Sequence, residues 1–144
     1  MLVAVLNGPN LNLLGEREPE IYGTTTLTDI ERMVRAEAQP LQLDIEWSQT
    51  NHEGEFVESV HRLHGRVAGA LVNAAAFTHT SLAVRDAFLA VKPIFVEVHL
   101  SNIFAREAER RRSLLADLAV GIVAGFGAQS YLLGLQALAR RLRG

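Results

Sequence analysis

Glu97 and His99 close an apolar run, Ile94-Phe95-Val96-Glu97-Val98-His99. Alternate residues of a strand share a face, so the carboxylate is placed to hold the imidazole by a hydrogen bond and to favour its protonated form. A second group of chemistry-bearing residues opens the chain. The run Leu6-Asn7-Gly8-Pro9-Asn10-Leu11-Asn12 leads on to Arg17 and Tyr22. Further along come Gln49, Asn51, His52 and Glu53, and then Asn73 with Thr78-His79-Thr80-Ser81. Amides, two histidines, arginines and a tyrosine suit acid–base chemistry on an anionic substrate, with His and Tyr moving protons and Arg and Asn handling negative charge.

The elements that must position these residues alternate along the chain. Leu2–Leu6 reads as a buried strand, and Thr28-x-x-Glu31 as the capping box of a helix with the stripe Ile30, Met33, Val34 and Ala38, ended by Pro40. Leu41–Trp47 alternates apolar and polar residues, as an edge strand does. A helix bearing Phe56, Val57, Val60 and Leu63 stops at Gly65, and Val67–Val72 forms a strand buried on both faces. A helix over Leu82–Val91 precedes Pro93, strands follow at Ile94–Val98 and Val120–Val123, and Tyr131 to Leu142 make the last helix. Ser101–Ala119, rich in Arg and Glu, is expected to be a short helix plus an exposed loop. The pattern predicts an α/β fold, a flavodoxin-like doubly wound sheet of five parallel strands with helices on both faces. In such a sheet, ligands sit where strands end, and the polar groups above follow strands.

Thr80, Ser81 and Asn51 suit helix caps, His61 and His64 a solvated helix face, and Arg110-Arg111-Arg112 a solvated run. A chain of 144 residues, 49% hydrophobic and 21% charged, is expected to form one domain over residues 1–144. A net charge of −2 gives no basic surface for nucleic acid, and the absence of cysteine removes disulfides, thiolate metal sites and a Cys nucleophile. No charged leader or bilayer-length apolar run appears, so no membrane association and a cytoplasmic location are expected. No phosphate-binding loop motif occurs, and Gly125-Phe126-Gly127 lacks the rest of a dinucleotide fingerprint. The only lysine, Lys92, stands at the entrance of a strand, away from the polar groups, so a Schiff base lacks its amine.

Leu6–Gly15, Arg17-Glu18-Pro19 with Tyr22-Gly23, Gln49–Gly54, Asn73 with Thr78–Ser81, Arg85-Asp86-Ala87, Glu97–Asn102 and Gly125–Gly127 run in order over essentially the whole chain. Together they resemble the type II 3-dehydroquinate dehydratases, small flavodoxin-like hydro-lyases of the shikimate and quinate routes. The resemblance implies Tyr22 as general base, His99 as general acid, Arg17 beside Tyr22 on a lid, and Asn10 holding a water against an enolate. It implies substrate contacts from Asn73, His79, Arg110 and the Leu100–Ser101 backbone, with Asp86 entering from a neighbouring subunit. It further implies 3-dehydroquinate as substrate, a homododecamer built from trimers, and no metal or organic cofactor. The chemistry agrees: tyrosine, with pKa about 10, needs a nearby cation to serve as a base, and a developing enolate needs hydrogen-bond donors.

Some positions depart from the family pattern. Ala74-Ala75 replaces a common Pro-Gly, Phe77 a tyrosine, Phe104 a histidine, and Leu114 and Asp117 a Tyr and a Pro. If that turn needs a positive φ, either Ala75 is strained or the loop shifts. Two alternatives stay open, a catalytically weak paralogue that binds a related carboxylate as a sensor or scaffold, and a metal-assisted hydrolase using His79, Glu97 and His99; a flavin-binding module ranks below both.

Overall fold

Apolar alternation in the strands builds two cores, one on each face of a single sheet. The structure, a computed structural model, describes residues 1–16 and 19–144, less the side chains of Ile21 and Tyr22. The expectations for Arg17 and for the Tyr22 side chain therefore lie outside the described residues. The elements run β1 (Leu2–Asn7), α1 (Pro19–Tyr22), α2 (Leu27–Ala38), β2 (Asp44–Gln49), α3 (Glu53–His61), β3 (Gly69–Asn73), α4 (Phe77–Thr80), α5 (Leu82–Val91), β4 (Phe95–His99), β5 (Gly121–Ala124) and α6 (Gln129–Leu142). Among the described residues the strands form one parallel sheet in the order β2-β1-β3-β4-β5, as expected.

Val3, Val5, Leu71, Val96 and Val98 face α2 and α6, whereas Ala4, Leu6, Ala70, Val72 and Phe95 face α3 and α5. Each fully buried aliphatic side chain contributes about 1.5–3 kcal/mol relative to exposure. Small residues let the layers close up: a Cβ on Gly134 of α6 would sit 2.9 Å from Val98. After β1 the chain crosses to β2 on one side, then returns to β3 on the other. The carboxyl ends of β1 and β3 thus flank a switch point, where open sheets leave a crevice. No helix among the described residues is long and apolar enough to cross a membrane.

Several local expectations shift. The capping box is Thr26 with Asp29, two residues earlier than Thr28 with Glu31; Thr26 Oγ1 accepts the Asp29 N–H and the Asp29 carboxylate accepts the Thr26 N–H. The earlier start buries Leu27 in the helix stripe and leaves Met33 exposed. The strand read at Leu41 begins only at Asp44, because Gln42 adopts φ 58° and turns the chain. Strands β1, β3, β4 and β5 each run one residue further than their apolar runs, since ladder pairing needs only backbone. Asn7, Asn73 and His99 thereby become the last residues of three adjacent strands.

The segment after Ser101 is largely exposed over residues 102–112, as expected, but its later part is packed. It holds two 3-10 turns, Ile103–Ala105 and Ala108–Arg110, and then a packed strap. Leu115 is fully buried in the α3/α5 core, the Leu114 N–H donates to the Thr78 carbonyl, and Arg85 clasps both oxygens of Asp117.

Candidate active site

At the carboxyl ends of β1, β3 and β4 lies a cleft lined by Asn10, Asn73, His79, His99, Leu100, Ser101 and Arg110, with Arg106 and a few apolar side chains. The structure thus brings together the described candidates save two. Glu97 sits one shell beneath His99, and Asp86 is exposed on α5, apart from the cleft.

The charged half of the site is built on β4. Glu97 is completely buried and His99 nearly so, and His99 Nε2 lies 2.5 Å from Glu97 Oε2. That engagement turns Nδ1 of the same cleft-lining ring into the nitrogen left for a substrate. The strap supplies a partner that the sequence reading missed. Ser113 Oγ stands 2.8–2.9 Å from both Glu97 oxygens and accepts the N–H groups of Leu115 and Ala116. With its acceptor sites filled by two N–H groups, the hydroxyl directs its single proton to the carboxylate. Only the polar position of Ser113, between an Arg run and two leucines, marked it in the sequence.

His79 comes from α4, a single helical turn too short to show periodicity. Its Nδ1 lies 2.8 Å from the Arg112 carbonyl, an acceptor, so Nδ1 carries the hydrogen and neutral His79 keeps Nε2 as an acceptor. Burial holds the imidazole below its ordinary pKa. The Arg112 carbonyl opposes that shift, His99 and Arg110 reinforce it, and Glu97 opposes it. The rings of His79 and His99 stack with centroids 6.4 Å apart. Arg110 is braced by Glu107 at 2.8 Å, which orients a guanidinium suited to a carboxylate. Arg106 is a second guanidinium on the cleft wall, outside the expected site.

The neutral half sits on β1 and β3. Asn10 adopts φ 68°, a left-handed conformation that Asn tolerates, and its N–H donates to Asn51 Oδ1. Gln49 Nε2 donates to the Gly8 carbonyl and to Asn51 Oδ1. Gln49 and Asn51 therefore hold the loop carrying Asn10. The expected helix cap at Asn51 is not made, because its carbonyl faces that loop and His52 takes the cap position. The cap at Ser81 is made, to Val84 N, whereas the Thr80 hydroxyl bonds back to the Ala76 carbonyl. His61 and His64 are exposed, as expected.

Gly8 is required by a close approach, since a Cβ there would fall 2.3 Å from the Ala74 carbonyl oxygen. Ala75 has φ 51°, so the strained alanine expected at this turn is present. Gly125 and Gly127 make no phosphate cradle here; their N–H groups donate to the His99 and Leu100 carbonyls and anchor the end of β4. Lys92 caps α5 at the amino end of β4, opposite the cleft. Among the described residues no three His, Asp or Glu side chains converge as metal ligands. Glu97 is already committed to His99 and Ser113.

The family model for class II dehydroquinases matches residues 1–139. A 3-dehydroquinate dehydratase of Parasynechococcus marenigrum (strain WH8102) is 56% identical over 99% of this chain and 98% of its own. One from Synechococcus sp. (strain WH7803) is 54% identical over 100% and 98%. The crystal structure of a type II dehydroquinase from Propionibacterium acnes superposes with a TM-score of 0.89 at 38% identity, covering 96% of both chains.

Proposed function

The chain belongs to the class II dehydroquinase family of hydro-lyases, and from that premise we propose that it converts 3-dehydroquinate to 3-dehydroshikimate and water by trans elimination through an enolate. The observation that carries this reading is the buried Glu97–His99 pair, 2.5 Å apart, at the floor of a cleft that also holds Asn10, Asn73, His79 and Arg110.

In this mechanism Tyr22, made a stronger acid by Arg17, acts as tyrosinate and removes a proton from the carbon beside the ketone. The electrons move onto the ketone oxygen as an enolate. Asn10, through a water, donates to that oxygen where charge develops. The enolate then reforms the ketone as the β-hydroxyl leaves, protonated by His99. Glu97 and Ser113 hold the imidazole for that transfer.

Arg110, the Leu100–Ser101 backbone and Asn73 bind the carboxylate and hydroxyls. Neutral His79 offers Nε2 to a substrate hydroxyl. The reaction needs no Schiff base, metal or organic cofactor. Residues 1–144 act as one domain in a cytoplasmic homododecamer of trimers, where Asp86 completes a neighbour's site. The product serves aromatic biosynthesis or arises in quinate breakdown, since both routes use the same reaction.

The test is ultraviolet detection of the conjugated enone when purified, chelator-treated protein meets 3-dehydroquinate. Steady product formation is expected. Folded protein that forms no enone would leave the non-catalytic binder as the better reading, and activity lost to the chelator would favour the metal-assisted one.

A further inference from the structure

On the face covered by α2 and α6, a line of hydrogen bonds crosses the ends of β1 and β3. Asn7 Nδ2 donates to the Ser48 carbonyl at 2.8 Å, and Asn7 Oδ1 accepts from the Tyr131 hydroxyl at 2.7 Å. That hydroxyl accepts from Asn73 Nδ2 at 2.9 Å, and Asn73 Oδ1 accepts from the Ala75 N–H at 3.1 Å. The two ends of this line are backbone groups of fixed polarity, a carbonyl that only accepts and an N–H that only donates. Each side chain between them has one orientation that satisfies both of its neighbours. Turning the Asn73 amide over would set its NH2 against the Ala75 N–H and would ask the Tyr131 proton to leave Asn7. All three side chains are buried, where an unmatched polar group is costly.

We propose that Tyr131, which has no exposed surface and does not line the cleft, is a positioning residue that locks the amide of Asn73 for substrate binding. The inference rests on the reading of Asn73 as a substrate contact. One N–H of Asn73 is spent on Tyr131, so the cleft meets the other N–H and the amide oxygen in a set orientation. Trp47, the chain's only tryptophan, stacks on the Tyr131 ring with centroids 6.0 Å apart and reports on its packing.

The test is the steady-state kinetics of Tyr131→Phe, Asn73→Ala and the double variant with 3-dehydroquinate. Thermal melting and Trp47 fluorescence serve as checks of folding. Tyr131→Phe keeps the ring and removes the hydroxyl. Its KM is expected to rise about tenfold with kcat within about threefold, and the double variant to be no worse than Asn73→Ala alone. An unchanged KM in Tyr131→Phe, with Asn73→Ala impaired, overturns the positioning role while leaving the reading of Asn73 intact. Losses that add in the double variant also overturn it, because a general packing defect would act apart from Asn73. An unimpaired Asn73→Ala removes the reading of Asn73, and this inference with it. Should Tyr131→Phe fail to fold, Asn7→Leu frees the same hydroxyl proton from the β1 side. A KM rise absent in Asn73→Ala background supports the relay, and no rise overturns it.

Discussion

The two halves of the cleft solve the same problem, a buried polar cluster at a strand end, with opposite chemistry. On the α3/α5 face, Glu97 and His99 form an acidic and basic pair tied through Ser113 to the strap. On the α2/α6 face, Asn7, Tyr131 and Asn73 form a neutral line tied to backbone at both ends. Burial pushes the Tyr131 hydroxyl well above the ordinary phenol range, only partly offset by the Asn73 hydrogen bond, so this line keeps one protonation state through the working pH range. In the proposed mechanism the charged cluster moves a proton, while the neutral line holds the Asn73 amide still.

The largest expected effect breaks the charged side. His99→Ala should lower kcat by about 10²–10⁴-fold in the enone assay, the usual contribution of a general acid. Glu97→Gln, which keeps shape but not charge, should fall between it and the unaltered protein. A loss smaller than threefold in His99→Ala would mean that the proton comes from elsewhere.

Ser113→Ala sharpens the comparison. It deprives Glu97 of a donor and two N–H groups of their acceptor, so urea unfolding should show a loss of about 1–3 kcal/mol. Its kcat should drop while KM stays near that of the unaltered protein, the reverse of the Tyr131→Phe pattern. A raised KM with unchanged kcat would erase the division of labour between the two faces.

Ala75→Gly relieves a left-handed alanine beside the neutral line and should stabilise the fold by about 1 kcal/mol, read as a higher urea midpoint. An unchanged or lower midpoint would show that the turn carries no strain.

The smallest effect is in pH dependence. His79 has a depressed pKa in the folded chain, so below its ordinary value of about 6.5 the unfolded chain binds that proton first. This part of the stability is complete above that value and is lost as pH falls toward the folded pKa. Urea midpoints taken across that window should slope less in His79→Gln than in the unaltered protein, and equal slopes would remove the assignment.

What could be read from residues alone follows from the range of the interactions. The helix over Leu82–Val91 is found with the expected bounds because its cap, Ser81, and its stop, Lys92 before Pro93, are local. The Glu97–His99 pair is legible because strand alternation spans two residues. The Tyr131–Asn7 bond joins residues 124 apart in sequence, and no local pattern encodes it. Ser113 lies 16 positions from Glu97 in a segment without periodicity, and α4 is one turn long. Asn7 and Asn73 follow the apolar runs yet end the strands, because hydrophobicity stops before the backbone ladder does.

The proposed elimination sets a base and the His99 acid on opposite sides of one substrate. The most direct measurement uses 3-dehydroquinate carrying deuterium at one or the other position of the carbon beside the ketone, with the product read by mass spectrometry. Deuterium anti to the departing hydroxyl is expected to be lost and deuterium syn to it kept. Loss of the syn label would contradict it.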